Sequence, residues 1–455
     1  DPNSEASRLV NGRELVADDV IKGWERRYTN PASYLSTTIV RSGIVRMDAP
    51  DKYTVVVQWT MNPDPGREFE ARLGWGFQLY EFIKIEAPEV AKKYGDLRDW
   101  RNAVGTGAYM LTDYIPGSMI TFKRNPNYWM KDPIHPENQL PYVETSRSAI
   151  IPDVATRLAA MRTGKVDHLY DVKWDDAERL IQTNPELKYT QYLSASGTGV
   201  AFRVDKPEQP WYKQEVRQAL TMAIDYEAIK NSYYGGHAQY PAFPISPHKE
   251  FIESGAYIPL KDLSPDIQAL FGHDVNKAKQ MLADAGYPNG FKAPVIALAK
   301  DTDLLEMMKA YWAAVGVDLE IQIKEPAVHA SIGQIHSQPE LITGAYAGTY
   351  PLNLMQYLPG EQHNTAMYTG PEISPLALAL DDAYFDLAEV GRLYRGILPH
   401  LYELALYIGL PQPTDYVFWQ PWVQNYHGEY RVGNAEINFF KYIWVDMDLK
   451  AQMKK

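Results

Sequence analysis

The sequence predicts an α/β protein of more than one domain, on three observations. Strands and helices alternate through the middle of the chain, from IIPDVATRLAAMRTGKVDHLYDV at 150–172 to VDLEIQI at 317–323. A hairpin pattern, GTGAYMLTDYIPGSMITFKRNPNYW, occupies 105–129. The last part, 412–445, is rich in Trp, Tyr and Phe with little helical period, which suits strands returning to an earlier sheet. With 455 residues, 45% of them hydrophobic, the chain can bury a core large enough for two or three domains.

Taken in order, residues 12–28 read as a helix after an Asn11-Gly12 turn, because Ala17, Val20, Ile21 and Trp24 fall at helical spacing. YTVVVQW at 53–59 has the β-branched enrichment of a buried strand. A short helix over 86–96 ends at Gly95. In the hairpin, Tyr109, Leu111 and Tyr114 alternate on one arm and Ile120, Phe122 and Arg124 on the other, about a Pro116-Gly117 turn. The 150–172 stretch reads strand, helix, strand. Asp153 is the N-cap, Leu158, Ala159 and Met161 form the apolar side, and Gly164 is the stop.

EVRQALTMAIDYEAIKNSYYGG at 215–236 reads as one long helix with Val216, Leu220, Ala223, Ile224 and Ile229 on a stripe. VNKAKQMLADAGYPNGF at 275–291 is a helix stopped at Gly286. A strand at 294–299, a helix at 301–315 and the strand at 317–323 follow. LYELALYIGL at 401–410 is the most hydrophobic helical stretch, but it is too short to span a bilayer and carries Glu403.

Composition excludes several chemistries. The formal net charge of −12 disfavours nucleic acid and anionic membrane as partners. The chain has no cysteine, which removes disulfides, thiol catalysis and Cys-ligated zinc. GTG at 105–107 lacks the Lys and following helix of a phosphate loop, so its glycines only turn the chain into the hairpin. Among ten histidines, His329 and His336 stand seven apart, a spacing that suits surface residues better than a metal site, and no HExxH or GxSxG occurs. Asp18-Asp19, Asp175-Asp176 and Asp381-Asp382 read as solvated pairs, and no two carboxylates are singled out for glycoside hydrolysis. No cofactor or metal is expected. The 32 Tyr and 11 Trp suit either ordinary core and surface or a ligand cleft of stacking rings.

Five segments together carry a resemblance. NGRELVADDVIKGWER (11–26), the 105–129 hairpin, PYVETSRSAIIPDVATRLAAMRTGKVDHLYDV (141–172), the 215–236 stretch and the 275–291 stretch follow one another as in the family 5 solute-binding proteins of bacterial ABC importers. That group holds oligopeptide-, dipeptide-, nickel- and oligosaccharide-binding receptors. The resemblance implies a bilobal periplasmic-binding-protein-like fold with a small accessory subdomain, closing on a ligand by a hinge. It also implies a monomeric, non-enzymatic, extracytoplasmic bacterial receptor, in the periplasm or lipid-anchored at the outer face of the cytoplasmic membrane, that serves an ABC permease. The family's first lobe begins upstream of the NGRELVADDV element, so the expectation is that the N-terminal part of the family fold is absent from this chain. The division expected is 1–103 as accessory subdomain, 104–206 as lobe 1 core, 207–420 as lobe 2 and 421–455 as a return to lobe 1.

Peptide-binding members of the family carry an Asp shortly before a Pro in the second lobe, paired with the peptide's amino group. The corresponding ITGAYAGTYPLNLMQYL (342–358) has no carboxylate. A buried ammonium without its counter-ion costs about 3–5 kcal/mol. The expected ligand is therefore a neutral oligosaccharide, with an oligopeptide as the alternative and an oligosaccharide hydrolase or a sensory binder as readings of another class. By the same resemblance, Tyr34, Tyr346, Thr349, Tyr350, Asn353, Gln412 and Tyr416 are the expected ligand-binding residues, and Gln412, Thr414 and Tyr416 fall near the hinge.

Overall fold

The structure, a computed structural model, describes residues 4–30, 44–59, 85–95, 98–194, 197–345, 354, 357, 364–383, 385–429 and 438–453. The chain divides into two compact units, Asp1–Gln191 with Tyr416–Lys455 and Tyr192–Asp415.

In the first unit the helix expected over 12–28 begins only at Ala17. It runs as Ala17–Trp24 and continues as a wider turn, Glu25–Thr29. The delay has a local cause. The Asp19 carboxylate accepts from Arg13 Nη2 at 2.7 Å and from Val16 N at 2.9 Å, which folds 13–16 back as a loop over the helix start. Trp24 and Tyr28 pack with Met47 on the hairpin of β1 (Ile44–Asp51) and β2 (Thr54–Trp59). The 105–129 hairpin is β3 (Tyr109–Ile115) and β4 (Met119–Arg124), and Gly117 turns it at φ 71°. β5 (Thr145–Ala149) extends this sheet antiparallel to β4. Beyond the hairpin Trp129 is 73% exposed while Tyr128 is buried, so RNPNYW ends the hairpin at the surface with only one ring tucked in.

Asp153 caps the helix Val154–Arg162 by accepting from Thr156 N at 2.7 Å. Leu158 and Met161 are buried, but Ala159, expected on the same side, faces solvent. β6 (His168–Val172), the helix Trp174–Thr183 and β7 (Lys188–Leu193) follow.

The second unit opens with β8 (Thr198–Phe202), a strand the sequence division assigned to the first lobe. Its pairing decides the matter: β8 lies between β12 and β13 of the second unit's sheet, both given below. The long helix expected over 215–236 is broken. It runs Gln214–Met222 and then restarts at Asp225, whose carboxylate accepts from Ala228 N at 2.8 Å as a fresh N-cap. β9 (Ala238–Gln239) comes next. The helix Val275–Asp284 leads to β10 (Phe291–Ala297), the helix Thr302–Ala314, β11 (Val317–Ile323), the helix Pro326–Gln334 and β12 (Leu341–Ala345).

The apolar 401–410 stretch is only partly helical. The helix Leu387–Leu404 stops at Ala405, which is left-handed at φ 46°, and β13 (Tyr407–Gly409) follows. Its apolar residues serve the sheet: Tyr407 and Ile408 are buried where they pair with β8.

The five strands lie in the order β11-β10-β12-β8-β13. β10 is parallel to β11 and β12, and β8 runs antiparallel to both its neighbours. The entry to β10 demands glycine: Gly290 has φ 71°, and a Cβ there would fall 1.7 Å from the Gly316 carbonyl oxygen. Trp312, fully buried, stacks on Phe202 and donates from Nε1 to Leu220 O at 3.0 Å, fastening the helix Thr302–Ala314 to the sheet and to the helix Gln214–Met222.

β14 (Gln412–Trp419) starts in the second unit, paired with β9, and ends in the first, paired with β6. β15 (Val423–Gln424) then pairs with β16 (Trp444–Val445). The tail is fastened to the first unit by Trp422 Nε1 and Lys450 Nζ, which donate to Asp167 at 2.7 and 2.8 Å, and by buried Gln420, which donates to Met161 O at 2.6 Å.

Candidate functional site

The topology of the second unit puts one kind of residue at one edge. β10, β11, β12 and β13 all end there, and β8, running the other way, begins there with Thr198. The carboxyl ends of parallel strands are where α/β sheets bind ligands, because the loops that leave them are free of the sheet ladder. Four polar residues arrive at this edge from four segments. Asp301 follows β10 and precedes the helix Thr302–Ala314, Thr343 lies in β12, His329 lies on the helix Pro326–Gln334, and Thr198 opens β8.

They are hydrogen-bonded in a chain. Asp301, only 4% exposed, accepts from Thr198 Oγ1 at 2.9 Å and from Thr343 Oγ1 at 3.4 Å. His329 Nε2 lies 3.2 Å from Thr343 Oγ1. Burial pushes the His329 imidazole down from its ordinary range, while the Asp301 charge and the Thr343 contact oppose that shift. Tyr234 is raised chiefly by burial, with Tyr233, Asp415 and Asp301 adding to it. Asp415, also 4% exposed, thus contributes to the negative field felt there.

Gln412, an expected site residue, opens β14 and is fully buried. Its Nε2 donates to Ser194 O, and its backbone and Cβ lie against Gly197, the neighbour of Thr198. Its Oε1 is buried and has no hydrogen-bond partner among the described residues. Tyr416 is placed elsewhere. It is 4% exposed in the first unit's core with Leu180 and Phe418, opposite Val172 of β6, and burial raises its phenol. The expected residues Tyr34, Tyr346, Thr349, Tyr350 and Asn353 lie outside the described residues, although β12 ends at Ala345, directly before Tyr346.

Asp301 and its threonines went unremarked in the sequence, and His329 was noted only for its spacing from His336. The available signal was local: an Asp between a strand and a helix start, in ALAKDTD (297–303). Nothing local indicates that Thr198 and Thr343 would meet it. Among the described residues no group of three His, Asp or Glu side chains is placed to hold a metal ion.

Residues 10–369 match the model of bacterial extracellular solute-binding proteins, family 5 middle. The chain belongs to that family. Heme-binding protein A of Haemophilus influenzae is 29% identical over 327 residues, 67% of this chain and 54% of that protein. Glutathione-binding protein GsiB of Salmonella paratyphi A is 24% identical over 385 residues, 81% of this chain and 69% of that protein. The chain therefore spans little more than half of the first relative's length.

Among solved structures, the fold resembles the periplasmic binding protein DppA from Helicobacter pylori in complex with peptide STSA, with TM-score 0.74 and 21% identity over 95% of this chain and 82% of that one. It also resembles AgaA of A. tumefacien R10 in complex with agropinic acid, with TM-score 0.71 and 21% identity over 96% of this chain and 84% of that one. These likenesses show that the chain has the fold of periplasmic binding proteins. The family consists of binding proteins rather than enzymes, so the hydrolase reading is set aside. The expected neutral oligosaccharide also finds no support, since the relatives named here are described with heme, glutathione, a peptide and agropinic acid. The 342–358 stretch holds no carboxylate of its own, but the fold brings Asp301 against Thr343 from a different segment.

Proposed function

We propose that this family 5 chain is the capturing part of an extracytoplasmic receptor that encloses a peptide or peptide-like solute and passes it to an ABC import permease. The observation that carries this reading is the family match over 10–369 on a chain of two units, with buried polar groups gathered at one sheet edge of the second. Relatives named for glutathione and a like-folded structure holding a peptide support a peptide-class ligand over a sugar.

In this reading Tyr34, Tyr346, Thr349, Tyr350 and Asn353 remain proposed ligand contacts beside Gln412, whereas Tyr416 acts as core. The deciding test is native mass spectrometry of freshly purified protein, followed by calorimetric titration of the ligand-free form with peptide and with oligosaccharide pools. Submicromolar binding from the peptide pool is the expected result. Binding from the sugar pool alone would overturn the peptide reading.

A further inference from the structure

Within the second unit, the helix Gln214–Met222 meets the carboxyl end of the helix Leu387–Leu404 along a polar seam. The last carbonyls of a helix have no partner inside it. Two of them are met from across the seam: Gln218 Nε2 donates to Glu403 O at 2.8 Å, and buried Arg217 donates from Nε to Leu404 O at 2.9 Å. One turn further along, at Thr221, the seam opens into a cavity. Both segments are interrupted there. The first helix ends at Met222 and the chain restarts at Asp225, while the second helix stops at the left-handed Ala405.

Thr221, Tyr226, Phe271, Tyr402 and Tyr407 are among the residues that line this cavity, and the room inside for a water-sized guest is about 20 Å³. Its wall holds four hydroxyl side chains. Two are engaged: Tyr407 Oη accepts from Ala366 N at 3.3 Å, and Thr221 Oγ1 gives its proton to Arg217 O at 2.9 Å. The other two, Tyr226 Oη and Tyr402 Oη, are buried with no hydrogen-bond partner among the described residues. Their rings pack edge-on against one neighbour, Phe271, at 5.1 and 5.6 Å between centres, so both phenols belong to one packed cluster as well as to one cavity.

Burial raises both phenols above their ordinary range, so each keeps its proton. Each then has one proton to give. A buried hydroxyl without a partner has lost its hydration and gained nothing in exchange. Thr221 has spent its proton and can only accept.

We propose that this cavity is a binding site for one water molecule, which accepts from the Tyr226 and Tyr402 hydroxyls, donates to Thr221 Oγ1, and so carries the seam past the point where both helices end. About 10–15 Å³ of such room suffices for one water, and a buried water makes roughly three hydrogen bonds, so both the space and the wall fit. The site lies inside the second unit and does not depend on which solute the receptor takes.

Crystallography of the whole chain, at a resolution that orders interior waters, reads the site directly. Density for one water within hydrogen-bonding distance of both phenol oxygens supports the proposal. Density for none, or for a water that reaches only one phenol, overturns it. Chemical denaturation of Tyr226→Phe, Tyr402→Phe and the double variant reads whether the water fastens the seam. Phenylalanine keeps the ring and its packing, so each single variant should lower the midpoint and shift the folding equilibrium about two- to tenfold toward the unfolded chain, the worth of one hydrogen bond. The double variant should lose less than the sum, because both hydroxyls act through one water. A phenol with no partner at all would behave in the opposite sense, since removing its hydroxyl relieves a cost. A midpoint that rises or stays unchanged in either single variant, or strict additivity in the double, overturns the proposal.

Discussion

The two units bury polar groups in different ways. In the first, polar side chains fasten distant segments to one another: Asp167 receives Trp422 and Lys450, and Gln420 is held on Met161. Two of its ring nitrogens without a hydrogen-bond partner among the described residues, His168 Nε2 and Trp419 Nε1, belong to cross-strand neighbours set among other rings, with His168 edge-on to Tyr170 at 3.9 Å and to Tyr426 at 4.8 Å. In the second unit some buried polar groups fasten segments in the same way, as buried Arg217 does by donating to Leu404 O and Trp211 O, but one set lines up at the carboxyl edge of a sheet, as a chain from His329 through Thr343 to Asp301. Polar burial that joins segments reads as scaffold. Polar burial oriented toward the loops leaving a sheet reads as a site.

The largest effect expected from this contrast is on the second unit's scaffold. Trp312→Ala removes a fully buried ring stacked on Phe202 and leaves the Leu220 carbonyl without its donor. The loss should be about 3–5 kcal/mol. Hydrogen exchange should show it as faster exchange in β10, β11 and the helix Gln214–Met222, and protection lost equally across both units would blur the division drawn here.

A smaller effect is expected at the fastening of the tail. Gln420→Leu keeps the packing volume but strips the donor from the Met161 carbonyl, a loss of about 1–3 kcal/mol. Chemical denaturation followed by Trp fluorescence measures it. An unchanged midpoint would mean that the tail is held by its apolar contacts alone.

A third prediction concerns pH. Burial among rings pushes the His168 imidazole down to about 3. The unfolded chain, with an ordinary histidine near 6.5, binds a proton that the fold refuses. A depressed histidine therefore leaves stability intact above about pH 6.5 and erodes it as pH falls from there toward about 3. His168→Phe should flatten the stability profile between pH 6.5 and 4, where the slope in the parent corresponds to as much as one proton taken up on unfolding. An identical slope in the variant would assign the acid sensitivity to other groups.

The smallest effect belongs to the surface. Lys292 and Glu320 form a cross-strand pair at 2.8 Å between β10 and β11, but the Lys292 side chain is largely solvent-exposed and that of Glu320 partly so. Lys292→Ala should leave the melting temperature unchanged within error, because exposed pairs are screened and entropically costly to hold. A clear drop would show that ion pairs contribute to the sheet that carries the proposed site.

What the sequence determined by itself was local chemistry whose partners lie within a few residues. The Gly117 turn, the Asp153 cap, the Gly164 stop and the 317–323 strand are all where glycine freedom, a short carboxylate or β-branched alternation places them. Periodicity failed where one polar residue competed with it: Asp225 ended a continuous apolar stripe by capping a new helix start, and Asp19 held back a helix that the pattern began earlier. The family was legible because its segments recur in order, and order survives in one dimension.

The site was not legible in that way. Thr198, Asp301, His329 and Thr343 come together only because β8 runs antiparallel beside β12, so that its first residue reaches the edge where the others' loops begin. Tyr416 and Gln412, four residues apart on β14, were given opposite settings by that strand's passage from one unit to the other: one ring in an apolar core, one amide oxygen buried without a donor among the described residues. Strand pairing and register decide such meetings, and they are properties of the whole sheet rather than of any window of sequence.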